Sequence, residues 1–146
     1  MSGLKFDDFF PRVISSKTHS IIDYIHAGTN FAAAAMFYKK GNGRAGHAAV
    51  ALGAGVLLNA LMTDYEYGVF RTWSFKTHGI LDYGVAATSA AIPKLLDIDD
   101  TADASYFYAQ GGGETLIAGI SDYDDNSGSR RRDSFRVETR RDRWAA

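Results

Sequence analysis

The sequence has no cysteine and only two prolines. The absence of cysteine excludes disulfides, thiolate metal sites and cysteine nucleophiles, and it leaves the redox compartment undetermined. The scarcity of proline favours helices, because proline removes a backbone donor and disrupts a helix interior. The first sixteen residues lack an apolar run behind a basic start, so no cleavable signal peptide is expected. A length of 146 residues predicts one folded domain rather than two enzymatic modules.

Common catalytic and nucleotide-binding patterns are also missing. The sequence contains neither a G-x-S-x-G nucleophile elbow nor an H-E-x-x-H zinc motif. The glycine run 111–113 lacks a following lysine and lies in a helical context, which excludes a phosphate-binding loop. These patterns predict a protein that is not an enzyme.

Charge is distributed unevenly along the chain. Seven of the sixteen basic residues are arginines between positions 130 and 143, while the formal net charge is −1. Residues 124–146 are therefore predicted to form a basic, disordered or loosely helical tail that contacts anionic lipid or a partner protein. Interspersed acidic residues make nucleic acid the less favoured partner. Residues 1–15 are predicted to form an amphipathic segment that fits a bilayer surface or a helix bundle.

The chain contains an internal duplication. Residues 17–24 and 76–83 both read K-T-H-x3-D-Y, and residues 63–65 and 121–123 read T-D-Y and S-D-Y. Such a self-match is typical of one supersecondary unit that buries its apolar face against its own copy. The predicted repeats span residues 17–65 and 76–123.

Runs between turn signals predict four helices, and each repeat supplies one helical hairpin. The expected helices lie near residues 16–38, 45–65, 74–96 and 104–123. The predicted fold class is therefore an all-α, pseudo-twofold four-helix transmembrane bundle over residues 16–123. Pro93 is expected to kink or end the third helix. Glycines 111–113 cost roughly 1 kcal/mol each in a helix, so they predict a close helix approach.

Several features favour a membrane location. The uncharged run 45–63 has nineteen residues, close to the roughly twenty that cross a bilayer. With four alternating spans, twelve of the sixteen basic residues fall on the side of both termini, which predicts cytoplasmic termini and a multi-pass protein of the inner membrane. Tyrosine, tryptophan and phenylalanine near the same helix ends are typical of an interfacial belt. A mean hydropathy of −0.18 favours the alternative, a soluble helical bundle that acts as an interaction module.

With these motifs, residues 15–123 resemble the SPW-repeat family of small bacterial integral membrane proteins. The H-x3-D-Y element of that family is matched at residues 19–24 and 78–83, and its T-D-Y-E-x-G element at residues 63–68. The Ser-Pro-Trp element is absent, since residues 92–94 read I-P-K and residues 35–37 read A-M-F. The resemblance implies a membrane location and carries no catalytic residues.

Six repeated polar residues are expected to meet in one layer, because antiparallel hairpins return to the same side of a bundle. These candidates are His19, Asp23, Asp64, His78, Asp82 and Asp122. Two His-x3-Asp pairs place ligands on one helical face, so the layer fits a divalent metal such as zinc, manganese or iron, or a proton or solute pathway. The competing interpretation is that these groups satisfy one another and cap helices, with Thr18 and Thr77 as local partners and no cofactor.

Other polar residues are assigned to packing. His26 and His47 are expected to pack locally, Gln110 and Glu114 to face the second helix or a cavity, and Asn59 to face the bundle interior. The sequence as a whole predicts a structural or accessory membrane component, part of a larger assembly with protein partners or a homo-oligomer. The alternative function is a metal-binding or proton-handling bundle that uses the His and Asp layer.

Overall fold

The structure, a computed structural model, describes residues 11–99 and 101–125. These residues form four α-helices and one short parallel strand pair. The helices are α1 (Ser16–Lys39), α2 (Gly43–Met62), α3 (Phe75–Leu95) and α4 (Ala104–Ile120), and the strands are β1 (Thr63–Asp64) and β2 (Trp73–Ser74). The predicted basic tail from residue 126 onward and the first ten residues of the predicted amphipathic segment lie outside the described part. The prediction of an all-α four-helix fold is confirmed.

Serine side chains set the starts of α1 and α3. The Ser15 hydroxyl accepts from the backbone N–H of Thr18, and the Ser74 hydroxyl accepts from that of Thr77. Each satisfies one N–H that the first helical turn leaves without a partner. Thr18 and Thr77 therefore belong to the helix caps, where their own hydroxyls lie 3.1 Å from the cap hydroxyls. The second helix begins two residues earlier than expected because the Asn42 side chain caps it.

The second and fourth helices are shorter than the sequence predicted. They end at Met62 and Ile120, and the next residues, Thr63 and Ser121, have extended backbones with ψ of 140° and 139°. The predicted helical ends at residues 65 and 123 are therefore wrong. The physical reason is that the chain before α1 and α3 is also extended. The segment before α3 pairs with the segment after α2, as β2 beside β1. The segment before α1 pairs with the segment after α4 through a bridge between Ile14 and Ser121.

Within each hairpin the two helices pack closely because glycine lies at the contact. A Cβ on Gly111 would lie 2.8 Å from the Ala86 carbonyl oxygen, and one on Gly53 would lie 3.2 Å from the Ala27 carbonyl oxygen. The close approach predicted for the glycine run is thus confirmed at Gly111. The next two glycines of the run face open space. Pro93 lies inside α3, which ends two residues later.

An apolar cluster joins the two hairpins at the end that holds the α1–α2 and α3–α4 turns. Phe37 and Phe107 stack there with ring centroids 5.6 Å apart. The buried members of this cluster are Ala33, Ala34, Phe37, Ala45, Ala49, Leu52, Ile92, Ile98 and Phe107. The same end carries polar links, since Asp103 accepts hydrogen bonds from Asn42 at 2.8 Å and Lys40 at 3.2 Å. The hydrogen bond from Asn42, followed by the contact with Lys40, holds the pKa of Asp103 below its usual range.

Replacing Gly111 by alanine is expected to destabilise the fold by about 1–3 kcal/mol, because the new methyl group would press on the backbone of α3. Replacing Gly112 by alanine is expected to stabilise it by roughly 0.5–1 kcal/mol, because that site is open and alanine is the better helix former. Denaturant unfolding of both variants measures the difference, and equal effects would contradict the close approach.

The Asp103 contacts are expected to make stability depend on acid pH. Because its folded pKa lies below the unfolded value of about 3.9, the carboxylate stabilises the fold above about pH 4, and that contribution is lost as the pH falls. Asp103→Asn should therefore be less stable than the unsubstituted chain at pH 7, with the difference shrinking toward pH 3. The exposed Asp99→Asn is the control, and unfolding midpoints across this range are the measurement.

Candidate functional site

Two histidines and two aspartates meet between the hairpins, at the end opposite the apolar cluster. His19 and Asp23 lie one turn apart on α1, and His78 and Asp82 lie one turn apart on α3. All four are at most 3% exposed. The spacing of four residues turns each pair to one helical face, so two helices are enough to bring them together. These four residues are called the His–Asp centre below.

The histidine rings meet at their Nε2 atoms. His19 Nε2 lies 3.1 Å from His78 Nε2. The Asp23 carboxylate contacts both rings: its Oδ1 lies 3.3 Å from His19 Nε2, and its Oδ2 lies 3.3 Å from His78 Nε2. The Asp82 carboxylate also contacts both rings, with Oδ2 3.3 Å from His19 Nε2 and Oδ1 3.1 Å from His78 Nε2. Two nitrogens and four oxygens therefore converge on one small volume.

The other nitrogen of the His19 ring is held by Ser121. His19 Nδ1 lies 2.7 Å from Ser121 Oγ, and that hydroxyl donates its own hydrogen to the Ile117 carbonyl at 2.7 Å. Because the hydroxyl hydrogen is already used, the hydroxyl oxygen must accept from Nδ1. The proton of a neutral His19 ring is thereby assigned to Nδ1, and the Nε2 lone pair faces the centre.

The second histidine is held in the same way by the other hairpin. His78 Nδ1 lies 2.7 Å from Thr63 Oγ1, and this hydroxyl donates to the Asn59 carbonyl at 2.6 Å. The proton of a neutral His78 ring therefore also lies on Nδ1. Each ring is oriented by a hydroxyl from the partner hairpin, so the centre ties the two hairpins to each other.

Tyrosine hydroxyls hold the carboxylates. Tyr65 donates to Asp23 Oδ2 at 2.7 Å, and Tyr123 donates to Asp82 Oδ2 at 3.1 Å. Asp82 Oδ1 also accepts from Asn59 Nδ2 at 3.1 Å. Buried carboxylates are costly without partners, and these donors satisfy both oxygens of Asp82 and one oxygen of Asp23, whose other oxygen faces His19 Nε2.

The structure brings together four of the six predicted candidates and leaves two outside. The Asp64 side chain is 37% exposed and lies 4.0 Å from Arg71, and Asp122 accepts from the backbone N–H of Asp124. Placing these two aspartates in the layer was wrong. Side chains alternate along an extended segment, so the residues on either side of each aspartate point inward instead.

The sequence interpretation missed the hydroxyl partners of the centre. They are Thr63, Tyr65, Ser121 and Tyr123. The signal was present, because each repeat carries [ST]-D-Y at this point, but the segment was interpreted as helical. In an extended segment, the first and third residues of that motif share one side.

A second polar cluster lies between α1 and α4. His26 Nδ1 is 2.9 Å from Glu114 Oε2, and Gln110 also contacts the His26 ring. Next to them, Tyr106 donates to Asn30 at 2.9 Å. Gln110 and Glu114 thus face the first helix, which corrects the prediction that they face the second helix or a cavity.

The remaining two packing predictions concern Asn59 and His47. Asn59 is buried, and besides contacting Asp82 it accepts from Trp73 Nε1 at 3.1 Å. The predicted interior position of Asn59 is therefore confirmed. His47 is exposed, and its ring lies 5.3 Å from that of Tyr38, which is a local contact as expected.

The His–Asp centre gathers two carboxylates without a permanent cation. Within residues 11–99 and 101–125, no lysine or arginine is buried. The positive charge that balances the carboxylates must therefore come from protons on the histidines or from a bound metal ion. His19, Asp23 and His78 offer ligand atoms that all lie within 4.8 Å of one another.

Comparison of the chain with family profiles, with curated proteins and with solved structures finds no match.

Removing the Tyr65 hydroxyl is expected to reduce the free energy of unfolding by about 1.5–3 kcal/mol, because Asp23 would lose a charge-assisted hydrogen bond in a buried site. Tyr65→Phe should therefore unfold at a clearly lower denaturant concentration. Tyr24→Phe is the matched control, since its hydroxyl only reaches an exposed carbonyl and its loss should cost less than about 0.5 kcal/mol. Similar effects of the two substitutions would contradict the assigned role of Tyr65.

Proposed function

We propose that this protein is a small integral membrane protein of the inner membrane, with a structural or accessory role in a larger assembly. One observation carries the proposal: between their terminal turns, the helices turn their few charged side chains inward and large apolar side chains outward.

Between their terminal turns the helices carry few charged residues, and those few are buried. Residues 18–38, 45–63, 77–93 and 104–121 together contain three side chains of the Asp, Glu, Lys and Arg types. These are Asp23, Asp82 and Glu114, which are 3%, 2% and 7% exposed. A water-soluble bundle carries its charges on the opposite, solvated face. Inward-facing charges are what a bilayer requires, since a charge exposed to lipid is costly.

Large apolar side chains occupy the outer faces instead. Ile25 is 64% exposed, Leu58 55%, Ile80 70% and Leu116 53%. These four residues belong to four different helices, so the apolar surface surrounds the bundle. A surface of this kind fits lipid tails, whereas soluble monomers rarely expose large contiguous apolar patches.

Helix length and composition are compatible with a bilayer core of about 30 Å. At about 1.5 Å per residue, α4 with 17 residues spans roughly 26 Å, and α1 with 24 residues roughly 36 Å. Among the described helices, α2 alone is both long and apolar enough to be a spanning candidate. The fourth helix is shorter, with 17 residues, and α1 and α3 carry the buried His and Asp side chains of the bundle interior, which make these two helices less apolar on average.

The charge distribution supports both termini on the cytoplasmic side. Arg12, Lys17, Arg71 and Lys76 lie at the end of the bundle that holds the His–Asp centre, and the arginine-rich tail continues from the same end in sequence. The positive-inside rule places that end in the cytoplasm. There the tail would contact anionic headgroups or a protein partner. The resemblance to the SPW-repeat family supports the same location.

Cysteine labelling tests this proposal, because the chain has no cysteine of its own. Single variants Leu58→Cys, Lys39→Cys and Val69→Cys place thiols on an outer helix face and at the two ends, and all three parent residues are exposed. In membranes, a water-soluble maleimide should label Lys39→Cys from the periplasmic side and Val69→Cys from the cytoplasmic side. Leu58→Cys should react at least tenfold more slowly until the protein is unfolded.

A soluble bundle would give a different pattern. All three thiols would then react at similar rates, and carbonate at high pH would release the protein from membranes. Either result would overturn the membrane proposal. Ala60→Cys, at a buried position, is the control for a thiol that is protected by the protein itself.

A further inference from the structure

We propose that the His–Asp centre binds one divalent transition-metal ion per chain, with Zn²⁺ as the expected ion. The Nε2 atoms of His19 and His78 and the carboxylates of Asp23 and Asp82 are the ligands. This inference concerns the centre itself and stands independently of the membrane location.

The hydrogen bonds behind the rings leave both Nε2 lone pairs for a ligand. Ser121 and Thr63 have each given their hydroxyl hydrogen to a helix carbonyl, so each accepts from Nδ1. A neutral ring then directs its Nε2 lone pair at the other ring. The carboxylate oxygens beside them are also acceptors. Acceptors that face one another need a metal ion or protons between them to be held together.

The nitrogen–nitrogen and nitrogen–oxygen distances are close to those around a small four-coordinate ion. Metal–ligand bonds of about 2.0–2.1 Å in a tetrahedron separate the ligand atoms by about 3.3 Å. The two Nε2 atoms are 3.1 Å apart, and each lies 3.1–3.3 Å from one oxygen of Asp23 and one oxygen of Asp82, with a different oxygen of each carboxylate facing each ring. The ligand atoms of His19, Asp23 and His78 all lie within 4.8 Å of one another.

A divalent ion also gives the site the right charge. With two neutral imidazoles and two carboxylates, one M²⁺ makes the buried centre neutral, which matters because no lysine or arginine is buried in the described part of the chain. Two added protons would balance the charge as well. They would, however, place two positively charged N–H groups 3.1 Å apart, each directed at the other ring.

The partners of the ligands are those that metal sites use. Metal-binding histidines donate their second ring N–H to a fixed acceptor, and metal-binding carboxylates accept additional hydrogen bonds. Here the acceptors are Ser121 and Thr63, and the carboxylates accept from Tyr65 and Tyr123. These contacts orient the four side chains before any ion binds.

The donor set selects the class of metal. Imidazole nitrogens with carboxylate oxygens suit Zn²⁺, Mn²⁺ and Fe²⁺, whereas Mg²⁺ and Ca²⁺ prefer oxygen ligands alone. The short spacing of 3.1–3.3 Å between ring nitrogens and carboxylate oxygens favours Zn²⁺ among these, because zinc forms short bonds to both. Because all four side chains are at most 3% exposed, the site is closed, as in structural rather than catalytic zinc sites. The ion would bridge α1 and α3, and so join the two hairpins.

Metal analysis of the full chain, purified in mild detergent without a polyhistidine tag, tests the proposal. We expect about one zinc per chain, and less than one-tenth of that in His19→Gln and His78→Gln. His26→Gln and His47→Gln remove histidines outside the centre and should retain the metal. Zinc at the same level in all five proteins, or none in the unsubstituted chain, would overturn the proposal.

A second measurement avoids variants that fail to fold. After chelator treatment, the unsubstituted chain is titrated with Co²⁺, whose visible bands report nitrogen and oxygen ligands around the ion. The bands should saturate at one equivalent and disappear when one equivalent of Zn²⁺ is added. Absent bands, with the helical circular dichroism unchanged, would mean that the centre is held by protonated histidines. Neither outcome depends on where the protein resides in the cell.

Discussion

The structure depends on the burial of two carboxylates between two hairpins. An unpaired buried carboxylate costs several kcal/mol, so every oxygen and nitrogen of the His–Asp centre needs a partner in a defined place. The ends of α2 and α4 meet this requirement. If Thr63 and Ser121 continued the helices, the [ST]-D-Y segments would not place a hydroxyl and a phenol on the same inner side. The extended ends, held by strand pairing, thus supply the partners that the centre needs.

The sequence was sufficient to predict the number of helices and the meeting of the four central residues. His-x3-Asp at 17–24 and 76–83 puts both groups on one face of a helix, and antiparallel return brings those faces together. The positions of Asp64 and Asp122 could not be predicted in the same way. A [ST]-D-Y segment has the same composition whether it is helical or extended, and the choice is made by strand pairing, with Trp73–Ser74 in the first repeat and with Ile14 in the second.

The two repeats differ in the residues that they place at the interfaces between the hairpins. On the α1–α4 side, Tyr106 reaches Asn30, and His26 meets Glu114. On the α2–α3 side, shifts of 58 and 59 positions bring Ala48, Ser89, Val85 and Val56 to the corresponding places. Ala48 and Val85 line a mostly apolar groove of about 620 Å³ beside Leu52 and Leu81. Ser89 Oγ, buried in α3, is without a hydrogen-bond partner in the described residues.

The helices of one hairpin and the two hairpins themselves are held together by different interactions. Inside each hairpin, Gly53 and Gly111 let backbones approach, which is the contact that membrane helices favour because lipid offers no hydrophobic drive for helix association. Between hairpins the backbone contacts are sparser. The hairpins are joined by the apolar cluster around Phe37 at one end and by the His–Asp centre at the other. Hydrogen bonds and charge contacts are stronger in a low-dielectric interior than in water, so the buried polar link fixes how the two hairpins meet. Occupation of the centre by the proposed ion would therefore be coupled to assembly of the bundle.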